Sequence, residues 1–304
     1  MTLNGGYAYR DRIGPDGAGM TALAYLSARR PHASREQWCE RLDRGELELN
    51  GTTLRADVIL HAGGTLVWHR PPWEEPEVPR HYDLLYEDGS LVAVIKPRGL
   101  PTMAAGGFLE GTLLTLVRER YPEARPLHRL GRHTSGIVLF ARTHAAAARL
   151  SRAWRDHAVG KRYRALGTGI AEWETRAIEA SIGPVAHPVL GTVHAASPTG
   201  KAAHSVAHVV GYRGGTTLFD VDITTGRPHQ VRIHLACAGH PLVGDPLYAA
   251  GTLLAVNPGL PGDGGYLLHA ARLRFAHPLS DDPVELAARP PDDLCTDAEL
   301  RSAR

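Results

Sequence analysis

The sequence is short of cysteine, of net charge and of long apolar runs, and each shortage removes a class of protein. Its three cysteines, Cys39, Cys237 and Cys295, are scattered and form no CxxC pair. That argues against a disulfide framework or a structural zinc and for a reducing cytosol. No apolar run is long enough to cross a bilayer, and no basic-then-apolar leader pattern opens the chain. A cytoplasmic protein without a membrane partner is the expectation. The chain has 17 histidines but no HExxH spacing. Gly106-Gly107 fits neither the phosphate-loop nor the dinucleotide pattern, and no Ser/His/Asp order competes. With 34 basic and 32 acidic residues the net charge is +2, too mild to establish a nucleic-acid partner by itself. The acids are unevenly placed. Asp281, Asp282, Glu285, Asp292, Asp293, Asp297 and Glu299 crowd the C-terminus, which reads as a solvated, loosely held tail on a more basic body.

What is present is enough for two domains: 304 residues, 43% of them hydrophobic. The first, residues 1–75, opens with a short amphipathic helix, Thr21 to Arg30, with Leu23 and Leu26 on its buried side and Pro31 stopping it. Ser34-Arg35-Glu36-Gln37 is a capping box for a second helix through Trp38 and Leu42. Glu46 to Leu49 alternates polar and apolar, Asn50-Gly51 is a strong hairpin turn, and Leu66-Val67-Trp68 is a further strand. From His69 to Pro79, four prolines favour a stiff, extended linker, which places the second domain at 76–304.

In the second domain Leu91 to Ile95 is a strand leading into Lys96-Pro97-Arg98-Gly99-Leu100-Pro101, with Lys96 read as a surface lysine. Thr112 caps a helix from Leu113 to Arg120. Thr143 caps another, Ala145 to Trp154. Strands are expected at Lys161 to Leu166, Ile178 to Ile182 and Ser205 to Val210. Phe219, Val221 and Ile223 alternate with polar residues, so one sheet face is buried there. His229 to Ala238 reads as a helix, with Pro228 at its start and Gly239 past its end. Leu267 to Phe275 is the last strand.

Between the capped helices lies the segment that decides the reading. Leu127-His128-Arg129-Leu130-Gly131-Arg132-His133-Thr134-Ser135-Gly136 is a basic, histidine-bearing loop, and Ile137 to Ala141 is a buried strand. A polar loop feeding a buried strand holds side chains rigidly at a cleft. This segment resembles the HRLDxxTSGxxLxA signature of the RluA-type RNA pseudouridine synthases. Four further blocks resemble that family in its own order: Lys96 to Pro101, Lys161 to Ala165, Thr225 to Tyr248, and Leu268 to Phe275. Two helices followed by the GELELNG turn and the GGTLVW strand also resemble a small RNA-binding module. It is shared by a ribosomal small-subunit protein, a tyrosyl-tRNA synthetase and many pseudouridine synthases.

The resemblance implies an α+β fold, with a mostly antiparallel mixed sheet and a small N-terminal α+β module. It implies an isomerase that converts uridine to pseudouridine in an rRNA or tRNA stem-loop, flipping the base into a pocket and using no cofactor or metal. A monomer is expected. Tyr163 falls on the family's stacking tyrosine, and Arg232 on the arginine that pairs with the nucleophilic aspartate. His128, Arg129 and Arg132 lie in the loop that fills the space left by the flipped base. Arg29, Arg30 and Arg35, with Arg41 and Arg44, are the expected phosphate contacts of the small module. The aspartate's own position is Gly131. Glycine can neither attack carbon nor take a proton, and it frees the loop's backbone angles. Asp245 and Asp222 are the nearest substitute carboxylates by family position, though neither stands on this loop. Without one of them Arg232 would lack an anionic partner. Three readings follow: an enzyme using another carboxylate, an RNA-binding or RNA-folding protein without catalysis, or an Arg232 that meets an RNA phosphate.

Overall fold

The computed structural model describes residues 1–251 and 254–302. The chain folds as two compact units, Met1–Glu77 and Val78–Arg304.

In the first unit, Thr21 caps the helix Ala22–Arg29 by accepting from the Ala24 N–H. Ser34 and Gln37 form a complete capping box on Arg35–Asp43. Leu23 and Leu26 meet Trp38, Leu42, Leu47, Leu66 and Trp68 in one core. The helices accompany a four-stranded antiparallel sheet in the order Tyr7–Arg12, Thr65–Arg70, Leu47–Leu49, Thr52–Thr53. Asn50 and Gly51 both have positive φ, 51° and 85°, as a two-residue hairpin of this hand requires. The edge strand Tyr7–Arg12 has no counterpart in the sequence reading, because Tyr-Ala-Tyr-Arg-Asp-Arg carries no strict apolar alternation. The proline-rich segment also differs from expectation. His69 and Arg70 complete a strand, and Glu74–Glu75 pairs with Thr2–Leu3. Glu75 is buried, and Asn4 donates to its carboxylate at 2.7 Å, which offsets part of the cost of that burial.

The second unit is built on one large sheet. Its strands run in the order Thr175–Ile178, Ser205–Arg213, Thr216–Ile223, Gly160–Thr168, Leu268–Ala276, Ser135–Ala141, Leu91–Lys96, Asp83–Glu87. Pro283–Ala287 and Arg125–Pro126 pair alongside. The fold is α+β and mostly antiparallel. Among the described residues the one parallel junction joins Ser135 and Gly136 to His269 and Ala270. Gly136 is dictated by that junction: its φ is +111°, and a Cβ there would lie 2.3 Å from the Ala270 carbonyl oxygen.

Ser135–Ala141 is buried throughout, as its apolar run demanded. Ala146 and Leu150 of the helix His144–Arg155 pack with Ile137 and Leu139, while Leu113 and Val117 of Leu113–Arg120 pack with Val138 and Phe140. Successive residues of one strand thus anchor helices on opposite faces. Phe219, Val221 and Ile223 share a core with Val231 and Leu235.

Two expectations are corrected. Ile178 and Ile182 are not one strand. Ile178 ends Thr175–Ile178, and Ile182 opens the separate hairpin Ile182–His187/Gly191–Ala196. The acidic tail is docked rather than loose. Leu294 is fully buried against Leu166 and Leu218. Arg164 reaches Glu299 at 2.8 Å, Arg98 reaches Asp293 at 2.9 Å, and Arg213 donates to the Cys295 carbonyl at 2.7 Å. Counting acids along the chain could not show the arginines that the sheet turns towards them. Among the described residues, no helix is long and apolar enough to cross a membrane, and no cluster of His, Cys, Asp or Glu is placed to hold a metal.

Candidate active site

The loop from His128 to Thr134 is fastened from beneath. Thr102 Oγ1 donates to the Leu130 carbonyl at 2.9 Å and accepts from the Leu130 N–H at 3.2 Å. Lys96, expected at the surface, is fully buried. Its ammonium donates to the carbonyls of Pro97, Leu100 and Arg132 at 2.9, 2.7 and 3.0 Å. Burial pushes its pKa down to about 7, and the three acceptors match the three N–H donors of the charged form. The Arg132 guanidinium donates to the Gly262 carbonyl at 2.8 Å and lies over the Phe108 ring. The Thr134 N–H closes a turn on the Gly131 carbonyl. Gly131 stands exposed in this fixed loop. Its φ is not positive, so a freed backbone is not why glycine is here. The nearest atom to a Cβ built on it is Tyr266 Oη, 3.0 Å away, followed by Thr134 Oγ1 at 3.5 Å.

Tyr266 links Gly131 to Arg232. The Arg232 guanidinium lies 4.1 Å from the Tyr266 ring centroid and 5.0 Å from that of Tyr248. Arg232 is not left without a partner. It donates through Nε and Nη2 to both oxygens of Asp245, each at 2.7 Å. The Leu247 and Tyr248 N–H groups donate to the same carboxylate. Burial works against the guanidinium's charge, but Asp245 outweighs it and holds its pKa above the ordinary value. Asp222 is engaged elsewhere, bidentate with Arg162 and near His208.

Tyr163 is half-buried on Gly160–Thr168, at a register shift against Leu268–Ala276. It packs against the cluster holding Val231 and Tyr266 and against the one holding Leu130 and Ala270. Burial pushes its phenol up to about 12, so at neutral pH it presents an uncharged ring. Two histidines flank the site. His229 has the left-handed φ of 56° at the start of Gln230–Cys237. Its Nδ1 lies 2.8 Å from the Tyr248 hydroxyl, which itself donates to the His194 carbonyl. That hydroxyl must therefore accept from a protonated Nδ1 of His229. Burial first, then Arg232, push the His229 pKa down to about 3. His133 meets the Tyr266 ring edge-on at 6.3 Å and packs flat against Gly264, where a Cβ would collide with it.

The remaining sequence candidates divide. Arg129 is exposed. His128 is turned inward, which corrects the expected RNA contact. Its Nε2 accepts from the Leu139 N–H at 3.1 Å and its ring stacks on Trp154. Burial pushes its pKa down to about 4, leaving a neutral packing residue. In the first unit, Arg29 and Arg35 are largely exposed beside Asp11 and Asp57. Arg30 is not available as expected: it is bound to Asp11 at 2.8 Å and lies over the Tyr9 ring. Arg41 is held between Trp38 and Trp68, at 4.3 and 4.4 Å. Sequence reasoning missed Tyr266 and Tyr248, and it dismissed Lys96. An aromatic two residues before the Leu268-His269 block was the available signal for Tyr266.

The family model for RNA pseudouridylate synthase matches residues 90–237. The uncharacterized RNA pseudouridine synthase slr1592 of Synechocystis sp. is 39% identical over 277 residues, covering 90% of this chain and 95% of that one. RNA pseudouridine synthase 5 of Arabidopsis thaliana is 33% identical over 338 residues, covering 93% and 92%. Among solved structures, Human RNA Pseudouridylate Synthase Domain Containing 1 superposes with a TM-score of 0.58 at 24% identity, over 76% of this chain and 97% of that one, a likeness of fold. On the extent of the two sequence relationships, the chain belongs to the RNA pseudouridine synthase family.

Proposed function

We propose that this chain isomerises uridine to pseudouridine in structured RNA, an rRNA or tRNA stem-loop, with the extruded uridine received between Tyr163, Arg232 and the Gly131 loop. The observation that carries this is the column Gly131, Tyr266, Arg232, Asp245, in which a rigidly held, exposed loop position leads directly to a buried, charge-balanced guanidinium. The neutral Tyr163 ring suits stacking on a base. The exposed Arg129 suits a phosphate or the gap in the helix, and Arg29 and Arg35 suit backbone phosphates met by an RNA-binding first unit. The reading involves no cofactor, a monomer and a cytoplasmic setting.

A second reading is favoured by one observation: the carboxylate nearest Arg232 is fully engaged, and Gly131 brings none. On that reading the chain binds or folds RNA without modifying it. Mapping pseudouridine in cellular RNA with and without the gene separates the two. A site that disappears supports the isomerase. No lost site, together with tight binding of structured RNA, supports the binder.

A further inference from the structure

Tyr266 is 2% exposed, yet its hydroxyl is nearly unused. Among the described residues its hydrogen-bond neighbour is Thr134 Oγ1 at 3.4 Å, long for two hydroxyls. Tyr248, whose ring centroid lies 5.0 Å from the same guanidinium, is satisfied by a 2.6 Å bond to the His194 carbonyl and by His229. A buried hydroxyl left this way is costly unless something else meets it. It points to the one place in the loop that lacks a side chain, 3.0 Å from where a Cβ of residue 131 would stand. Its ring rests on the Arg232 guanidinium, and its edge meets His133, whose Nε2 is buried without a partner.

We propose that Tyr266 Oη takes over at the pocket floor from the carboxylate that Gly131 does not supply, as the group that exchanges a proton with the ribose of the bound uridine. The inference rests on the isomerase reading above. In its phenolate form Tyr266 takes a proton from C2′ of the ribose. The C2′–H electrons form a C1′=C2′ bond, and the glycosidic electron pair leaves with the uracil. When uracil C5 bonds to C1′, the double-bond electrons recover the proton from the Tyr266 phenol. The C5 proton then departs to solvent and the freed ring nitrogen gains one. Atoms and electrons balance with no oxidant, reductant or co-reactant. Arg232, itself held by both oxygens of Asp245, lies 4.1 Å from the ring centroid and fixes the tyrosine facing the Gly131 position. Glycine at 131 is the size this tyrosine requires: any larger side chain would press on its hydroxyl.

The test uses the full chain and rRNA and tRNA transcripts carrying tritium at uridine C5, with tritium release as the readout. Tyr266→Phe keeps the ring over Arg232 and is expected to lose about 100-fold or more in kcat, with KM and RNA affinity within about threefold. Fluorinating the Tyr266 ring, which makes the phenol more acidic, is expected to move the rise of the pH–rate curve to lower pH. A purely structural role would leave that curve in place. An active wild type whose Tyr266→Phe variant keeps its turnover within about threefold overturns the role of Tyr266 and leaves the isomerase reading standing. So does an unmoved pH–rate curve, which also decides the matter if Tyr266→Phe fails to fold. A wild type that binds the transcripts but releases no tritium overturns both.

Discussion

Arg232 and Asp245 face each other in a two-bond pair, each bond 2.7 Å, with 2% and 1% of their side chains exposed. Two charges so deep stay tolerable only together, because removing one strands the other in a poorly solvated site. Asp245→Asn is therefore expected to destabilise the second unit by about 3–5 kcal/mol. Urea unfolding followed by Trp fluorescence reads this directly. The double variant Arg232→Met with Asp245→Asn should recover part of the loss, since no bare charge remains. A single variant as stable as the wild type would show that the pair is not what holds this region.

Lys96 gathers three carbonyls, including that of Arg132 two residues from Thr134. Lys96→Met fills similar volume but takes the ammonium from the Pro97 and Leu100 carbonyls and leaves that of Arg132 with the Gly99 N–H alone. A loss of about 3 kcal/mol, or roughly 6–12 °C in Tm for a unit of this size, is expected. Amide exchange at Leu130 to Thr134 should quicken in step. An unchanged melt with unchanged exchange would remove the clamp from the account.

Arg164 holds the Glu299 carboxyl down to about 2, below its ordinary 4.5. A carboxylate with a lowered folded pKa contributes stability that is complete above the ordinary value and is lost as pH falls through the folded one. Docking of Asp292 to Ser302 is thus expected to be insensitive between pH 5 and 8 and to weaken from about pH 4.5 towards 2. Hydrogen exchange of this segment measures it, and Glu299→Gln should abolish the pH dependence. Protection factors, with intrinsic exchange divided out, that fall on going alkaline instead would reverse the sign.

On the proposed function Tyr163 stacks on the base, so its ring should matter more than its hydroxyl for affinity. Tyr163→Phe should hold RNA affinity within about threefold at fixed salt, whereas Tyr163→Ala should weaken it by about 5- to 150-fold, the equivalent of 1–3 kcal/mol. Filter binding decides between them, and equal affinities for all three proteins would place the base elsewhere.

Local chemistry was legible in the residues. The Ser34–Gln37 capping box, the Asn50-Gly51 turn and the alternation of Phe219, Val221 and Ile223 each state their conformation within a few positions, because the forces that decide them act over that range. The three blocks that contain Gly131, Tyr163 and Arg232 were legible as a family pattern. What could not be read was decided by partners distant in the chain. Lys96 looks like any lysine until three carbonyls surround it. Arg98, Arg164 and Arg213 turn a tail that reads as solvated into a docked one. Tyr266 becomes the neighbour of Gly131 only because the strand Leu268–Ala276 is laid beside Ser135–Ala141.

That parallel seam also decides when the sheet closes. Until the strand Leu268–Ala276 inserts between Gly160–Thr168 and Ser135–Ala141, the two halves of the sheet have no common edge. Without it Tyr163 and Arg232 lie on one half of the sheet and Gly131 on the other, with nothing to align the two. The aligned site therefore forms only with that strand in place, and its opening would part Gly131 from Tyr163 and Arg232 in one step.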